Sequence, residues 1–242
     1  ANQRNTKIEN PKITQADYYT LLAISALEDT HSQGRADVAQ TLYNRLYASQ
    51  RYGVNFLQNK NTLKDLITAG GGRDEGGQYE PTFGNKNDWL KISDRMSAAI
   101  AITNSTKGKK YKWDVKEAMK QLAQTELALR NPAFQEAAKS LVGGRAFFLG
   151  TSQQGNMKPG DVLRDKKQNF FSPWHLEGTP YDRQRRNVAA PIPEMLLSTV
   201  APGNSSGRPK SNVDKFRDFI IQGGQNIMNM LGIINNSNTR LR

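Results

Sequence analysis

Glu28 is the residue whose type and position most invite chemistry. It closes an apolar run, "LLAISALE", and is followed by a polar turn and then, after Gly34, by a second amphipathic segment. A carboxyl at the end of an apolar helix, covered by the next helix, is partly desolvated, which raises its pKa and keeps a proton on it near neutrality. A carboxylic acid raised to about 6 is what protonating a glycosidic oxygen requires. An ordinary solvated helix-end carboxylate is the other reading, and the residues alone leave both open. Asp29 points about 100° around a helix from Glu28, which favours a capping or solvent role. His31 stands either near such a site or in a solvated turn. Glu75 and Glu80 are the other candidates for a second carboxylate, Glu80 from an adaptable loop.

That loop is the glycine-dense "GGGRDEGGQYEPTFG", whose composition is incompatible with regular structure and reads as an exposed flap. Gln78 and Tyr79 within it have the chemistry to hydrogen-bond and stack on a sugar ring. No Gly-Lys-Ser/Thr follows the glycines, so the loop is not a phosphate cradle. Trp174, between Pro173 and His175, is a candidate binding aromatic, whereas Trp89 and Trp113 read as core or helix-entry residues. The chain has no cysteine and two histidines. Thiolate ligation and disulfides are therefore excluded, and neither a metal nor a cofactor is expected.

Helices must position these residues. "TQADYYTLLAISALE" opens with Thr14 and Asp17 in a capping arrangement, and Tyr18, Leu21, Leu22, Ile24 and Leu27 form its apolar stripe. A second helix over about 35–50 buries Val38, Leu42 and Leu46, with Ala39 and Tyr43. "TLKDLITAG" is a short helix. "NDWLKISDRMSAAIAITNS" reads as one helix with Trp89, Ile92, Met96 and Ile100 inward, and "TKGKKYKW" as a basic turn. Asp114 and Glu117 cap a long helix that ends near Pro132, and "NPAFQEAAKSLVGG" adds another. From Gly144 to Trp174 two aromatic pairs separated by turn residues suggest a small hairpin-like or irregular β lobe. A short helix follows Pro191 and Pro193.

The formal net charge of +12 calls for a polyanion, and nucleic acid, an acidic membrane face and an anionic wall polymer all qualify. The clusters "KGKKYK" and "RQRR" (Arg183 to Arg186) interleave little with aromatics and read as solvated faces. No apolar run approaches the ~18 residues needed to cross a bilayer. The polar start "ANQRNTKIEN" lacks the apolar core of a signal peptide.

At this point the sequence resembles a known family. "ALEDTHSQGRADVAQTLYNRL" is similar to the opening motif of the SleB-type cell-wall hydrolases, a spore-cortex-lytic family of peptidoglycan-cleaving enzymes. The motif falls on Glu28, Gly34, Asn44 and Arg45. "GGQYEPTF" resembles the family's Gln-aromatic loop at Gln78 and Tyr79. "GGRAFF" and "FFSPWH" resemble its late aromatic strand and Pro-x-Trp region at Phe147, Phe148, Pro173 and Trp174. The three pieces keep their order across residues 15–176. The chain departs in a shortened turn between Glu28 and Gly34, in the Phe147–Phe148 pair and in the insertion "TSQQGNMKPGDVLRDKKQ".

The resemblance implies an α+β, mainly helical chain with a lysozyme-like two-lobed catalytic domain, a small irregular β lobe and a C-terminal extension. It implies lytic transglycosylation of peptidoglycan between N-acetylmuramic acid and N-acetylglucosamine, with Glu28 as general acid and then base. Gln78, Tyr79, Glu80, Trp174 and Asn44 become the substrate-binding set. The expected organisation is an arm over 1–13, a catalytic domain over 14–200, and a linker with an amphipathic attachment segment over 201–242. The tail and the absence of a recognisable signal suggest carriage by a phage virion, acting on the bacterial wall from outside. Two rivals share the features: an inactive structural virion protein on the same fold, and a basic nucleic-acid-binding protein, not favoured.

Overall fold

The fold is described from a computed structural model, covering residues 10, 13–54, 62–68, 85–150, 162–164, 168–171, 178–185 and 187–197. These residues all fall in the first of two compact units, 1–199 and 200–242. The expectations for the attachment segment and for most of the N-terminal arm therefore lie outside the described residues.

Local capping starts the first helix where the sequence places it. Helix α1 (Gln15–Glu28) has Thr14 at its N-cap: the Asp17 amide donates to Thr14 Oγ1 at 3.1 Å, and the Thr14 amide donates to Asp17 Oδ2 at 2.9 Å. Asp17 Oδ1 also accepts from the Lys64 amide at 2.8 Å. One carboxylate thus restrains the starts of two helices, α1 and α3 (Leu63–Thr68). The apolar part of α1 is wider than the expected stripe. Residues 20–27 are buried on every side, as befits a helix running through the core rather than over it.

Helix α2 (Ser32–Tyr52) lies against α1, and its positions 34–49 are all buried. Val38, Ala39, Leu42, Tyr43 and Leu46 join the core. Its C-terminus closes on Gly53, whose amide returns to Ser49 O at 3.2 Å. Helix α7 (Val115–Arg130) begins at Asp114, which accepts from the Glu117 amide at 2.8 Å, and α8 (Pro132–Val142) follows Asn131. Both were legible as expected.

The segment from 86 to 104 corrects the reading of a single helix. It forms α4 (Lys86–Leu90) and α5 (Arg95–Asn104), broken at Asp94. Asp94 caps α5 by accepting from the Ser97 amide at 2.8 Å, and Ser97 Oγ reciprocates to the Asp94 amide. The new start shifts the inward face to Ala98, Ala99, Ala101 and Ile102. Trp89 and Ile92 are buried as expected, but Met96 and Ile100 point outward at 50% and 43% exposure.

The basic "turn" is also a helix, α6 (Thr106–Tyr111), capped by Ser105. Gly108 makes its packing possible: a Cβ there would sit 2.7 Å from Thr103 O and closer still to Ile102 O. Three short antiparallel strands follow: β1 (Phe147–Gly150), β2 (Val162–Arg164) and β3 (Gln168–Phe171), in the order β1-β3-β2. The register sets Phe147 opposite Phe171 and Phe148 opposite Phe170, so the two aromatic pairs of the sequence are cross-strand neighbours along the backbone. Short helices α9 (Pro180–Arg185) and α10 (Glu194–Leu197) complete the described chain. Arg185 corrects part of the solvated "RQRR" reading. It is buried, with its guanidinium 5.0 Å from the Tyr47 ring centroid and Nη2 donating to Ala189 O at 2.9 Å. The described residues are mainly helical, and no helix among them is long and apolar enough to cross a membrane.

Candidate active site

Glu28 is the last residue of α1 and is half-buried, one step beyond the fully buried Leu27. A helix end leaves carbonyls without intrahelical partners and carries partial negative charge. Two cations answer it here. Lys107 Nζ donates to Leu27 O, and Arg35 Nε donates to Asp29 O at 3.0 Å. The Asp29 amide returns to Ser25 O at 3.3 Å as the C-cap, and its Oδ1 accepts from the His31 amide at 2.7 Å, tightening the turn. Asp29 thus takes a capping role. His31 is exposed and serves as the backbone N-cap of α2 without a side-chain cap bond.

Arg35 ties this turn to α7. Its Nη1 donates to Thr125 Oγ1 at 3.0 Å and its Nη2 to Gln121 Oε1 at 2.6 Å. Burial lowers its pKa against the opposing pull of Asp29. The helix end that carries the candidate acid and the turn after it are thereby held from both sides, by α6 and by α7.

Asn44 and Arg45 do something other than meet a substrate directly. Asn44 has no exposed surface. Its Nδ2 donates to Gly143 O at 2.8 Å and to Arg145 O at 2.6 Å, while its Oδ1 accepts from the Ala190 amide at 2.8 Å and from Gln40 Nε2 at 3.1 Å. Arg45 Nε donates to Ala146 O, and the buried Tyr181 hydroxyl donates to Gly144 O at 2.6 Å. Four consecutive carbonyls, Gly143 to Ala146, are thus captured by side chains from α2 and α9. An unpaired buried carbonyl is costly, so this clamp fixes where the chain leaves α8 for β1. Gly143, at φ +54, takes a backbone conformation that favours glycine and turns the chain so that those carbonyls are presented. The expected substrate contact of Asn44 is corrected on this geometry: with every hydrogen-bonding group engaged internally, it positions backbone.

A polar stripe on α2 leads to that clamp. Gln33 Nε2 donates to Asp37 Oδ1 at 2.8 Å and to Phe134 O at 3.2 Å, and Gln40 Nε2 donates to Ala190 O at 3.0 Å. Residues 33, 37, 40 and 44 lie on one face of the helix. Sequence reading singled out Asn44 through the family resemblance but, following the apolar positions, missed Gln33, Asp37 and Gln40; polar side chains recurring at helical spacing in a helix this rich in buried residues are the signal.

A second polar centre joins α1, α5 and α7. Glu126 accepts from the Tyr18 hydroxyl and pairs with Arg95, and it lies 3.5 Å from Arg130 Nε. Burial opposes its ionisation, but Arg95, the hydrogen bonds from Tyr18 and Arg95, and Arg130 together hold the carboxyl below the usual glutamate range. Burial raises the Tyr18 and Tyr43 hydroxyls. This centre is ionised and internally paired, so it is a brace rather than an acid.

Gln78, Tyr79, Glu80 and Trp174, with Glu75 and Pro173, lie outside the described residues. Trp89 is fully buried core, and Trp113 is half-buried against Tyr111. Among the described residues no group of three His, Cys, Asp or Glu side chains is placed to hold a metal ion. Comparison with family models, characterised proteins and solved structures gives no match for this chain.

Proposed function

We propose that this protein is a peptidoglycan lytic transglycosylase that cuts the glycan strand between N-acetylmuramic acid and N-acetylglucosamine, with Glu28 as its acid and base. The observation that carries this reading is the setting of Glu28: a half-buried carboxyl at the tip of a buried helix, on a turn braced by Lys107 and Arg35. The capture of the Gly143, Arg145 and Ala146 carbonyls by Asn44 and Arg45 adds support, because it joins two of the three segments on which the family resemblance rests.

In the proposed reaction Glu28 donates its proton to the glycosidic oxygen as the bond to muramic acid C1 breaks. The resulting carboxylate then takes the proton from the muramic acid C6 hydroxyl as that oxygen closes on C1. The product is a 1,6-anhydro sugar, and no water is consumed. One carboxylate serves both steps, so the paired carboxylates of ordinary glycosidases are not needed. In this reading the strands form the small lobe of a lysozyme-like domain, and Gln78, Tyr79, Glu80 and Trp174 line its groove. Residues 201–242 attach the domain to a virion, from which it opens the host wall.

Mass spectrometry of purified peptidoglycan after digestion tests the proposal. Anhydromuropeptides are the expected product. Reducing-end muramic acid would mean that water attacks, which requires a second carboxylate. Intact strands exposed to folded protein would leave the inactive structural role.

A further inference from the structure

Five lysines and one acidic residue, Asp114, occupy positions 106–116. Folding turns this run into a surface. Lys109, Lys110, Lys112 and Lys116 are exposed, and among the described residues none of them is paired with a carboxylate. The acidic side chains nearby are committed to α7's own first turn. Asp114 accepts from the Glu117 amide at 2.8 Å, and Glu117 accepts from Gln121 Nε2 at 2.8 Å. Tyr111 is 55% exposed and stacks on Trp113 with ring centroids 5.7 Å apart, and Lys110 Nζ lies 5.6 Å from the Tyr111 centroid.

Lys112 adds an independent observation. It is the C-cap of α6 in the left-handed conformation, at φ 53 and ψ 40, and is the only non-glycine residue with positive φ among those described. Glycine adopts that conformation at less cost and is the common residue there. Lysine gains nothing from the backbone there, so what it brings to the position is its side chain.

We propose that α6 and the turn after it form a docking surface for the stem-peptide carboxylates of the wall strand, with Lys109, Lys110, Lys112 and Lys116 taking the charge and Tyr111 the sugar face. The inference rests on the peptidoglycan reading and adds the chemistry of the strand's approach. Two features favour this occupant over nucleic acid. The surface adjoins the candidate acid, since Lys107 of the same helix donates to Leu27 O. The two aromatics also stack on each other, whereas single-strand binding uses rings set apart to receive successive bases. The cations are all lysines, hydrated point charges without arginine's bidentate fork. Contacts of that kind are weak and exchange readily, which suits a polymer that must move through a groove.

The test uses the full chain carrying Glu28→Gln, so that binding is measured without cleavage. The probes are purified sacculi, sacculi with their carboxylates chemically amidated, and a DNA duplex. The triple variant Lys109→Gln, Lys110→Gln, Lys112→Gln should bind sacculi about tenfold more weakly, with a shallower salt dependence. Amidated sacculi should lose the same factor against the unsubstituted lysines. Lys112→Gly should weaken binding about threefold while Tm stays constant or rises, an outcome a merely structural lysine would not give. Sacculus binding by the triple variant within twofold of its parent, or indifference to amidation, overturns the proposal. Loss of DNA binding alone assigns the surface to nucleic acid and likewise overturns it. Anhydromuropeptide release by the unmodified chain is read separately, so failure of this surface and failure of the Glu28 assignment are distinguishable.

Discussion

Asn44 donates to the carbonyl of Gly143 at 2.8 Å across 99 residues of sequence. The bond matters because the same amide also holds Arg145 and Ala190, so one side chain fixes the exit of α8, the entry to β1 and the segment before α10. Replacing Asn44 with alanine strands those groups in a site closed to water. Each buried polar group left unpaired costs on the order of 1–3 kcal/mol. The expected loss is about 3 kcal/mol in urea unfolding, with the slope unchanged. Asn44→Asp should be no better, since a carboxylate cannot donate to two carbonyls. A loss below about 0.5 kcal/mol, the usual surface value, would remove the clamp from the account.

Glu28→Gln keeps shape and burial while removing the transferable proton. Release of soluble muropeptides should fall by roughly 10²- to 10⁴-fold, with Tm unchanged. Activity within threefold of the parent would sink the assignment and direct attention to Glu80.

Glu126 predicts an acid limb in stability. Folding lowers its pKa, so the unfolded chain holds the proton more tightly. Its contribution is complete above the ordinary glutamate value near ~4.3 and is lost as pH falls through the lower folded value. Glu126→Gln should cost about 3 kcal/mol at pH 7, because Arg95 and Arg130 lose their counter-charge in a largely enclosed setting. The gap between parent and variant should narrow below about pH 4. Denaturant midpoints across pH 3–7 check this; a gap that stays constant through the window would mean that Glu126 is not ionised in the folded state.

Gly108→Ala separates propensity from packing. Alanine is favoured over glycine by about 1 kcal/mol inside a helix, so an unobstructed site would gain stability. Here the added carbon meets Ile102 O and Thr103 O, and relieving such overpacking typically costs about 1–3 kcal/mol. The close approach is to backbone, which has little freedom to yield, so net destabilisation is expected. Chemical denaturation gives the sign directly; a rise in stability would show that α6 can move off α5.

The helices whose beginnings depend on neighbours three residues away were readable from the chain alone. Thr14 with Asp17, and Asp114 with its bond to the Glu117 amide, specify α1 and α7 through contacts that no distant residue can alter. The position of Glu28 at a helix end followed from the same local rules. Tertiary structure decided what those rules do not reach. Met96 and Ile100 continue an apolar period in the sequence, yet the Asp94–Ser97 cap starts a new helix and turns them to solvent. The Arg185 side chain looks solvated until Tyr47 and the Ala189 carbonyl enclose it. Asn44 looks like a ligand contact until the carbonyls of Gly143 and Arg145 arrive from a hundred residues away. Capping and periodicity act through bonds spanning a turn of helix. The partner of a buried amide or guanidinium is set only when remote parts of the chain, backbone for Asn44 and the Tyr47 ring for Arg185, are brought against it and water is excluded.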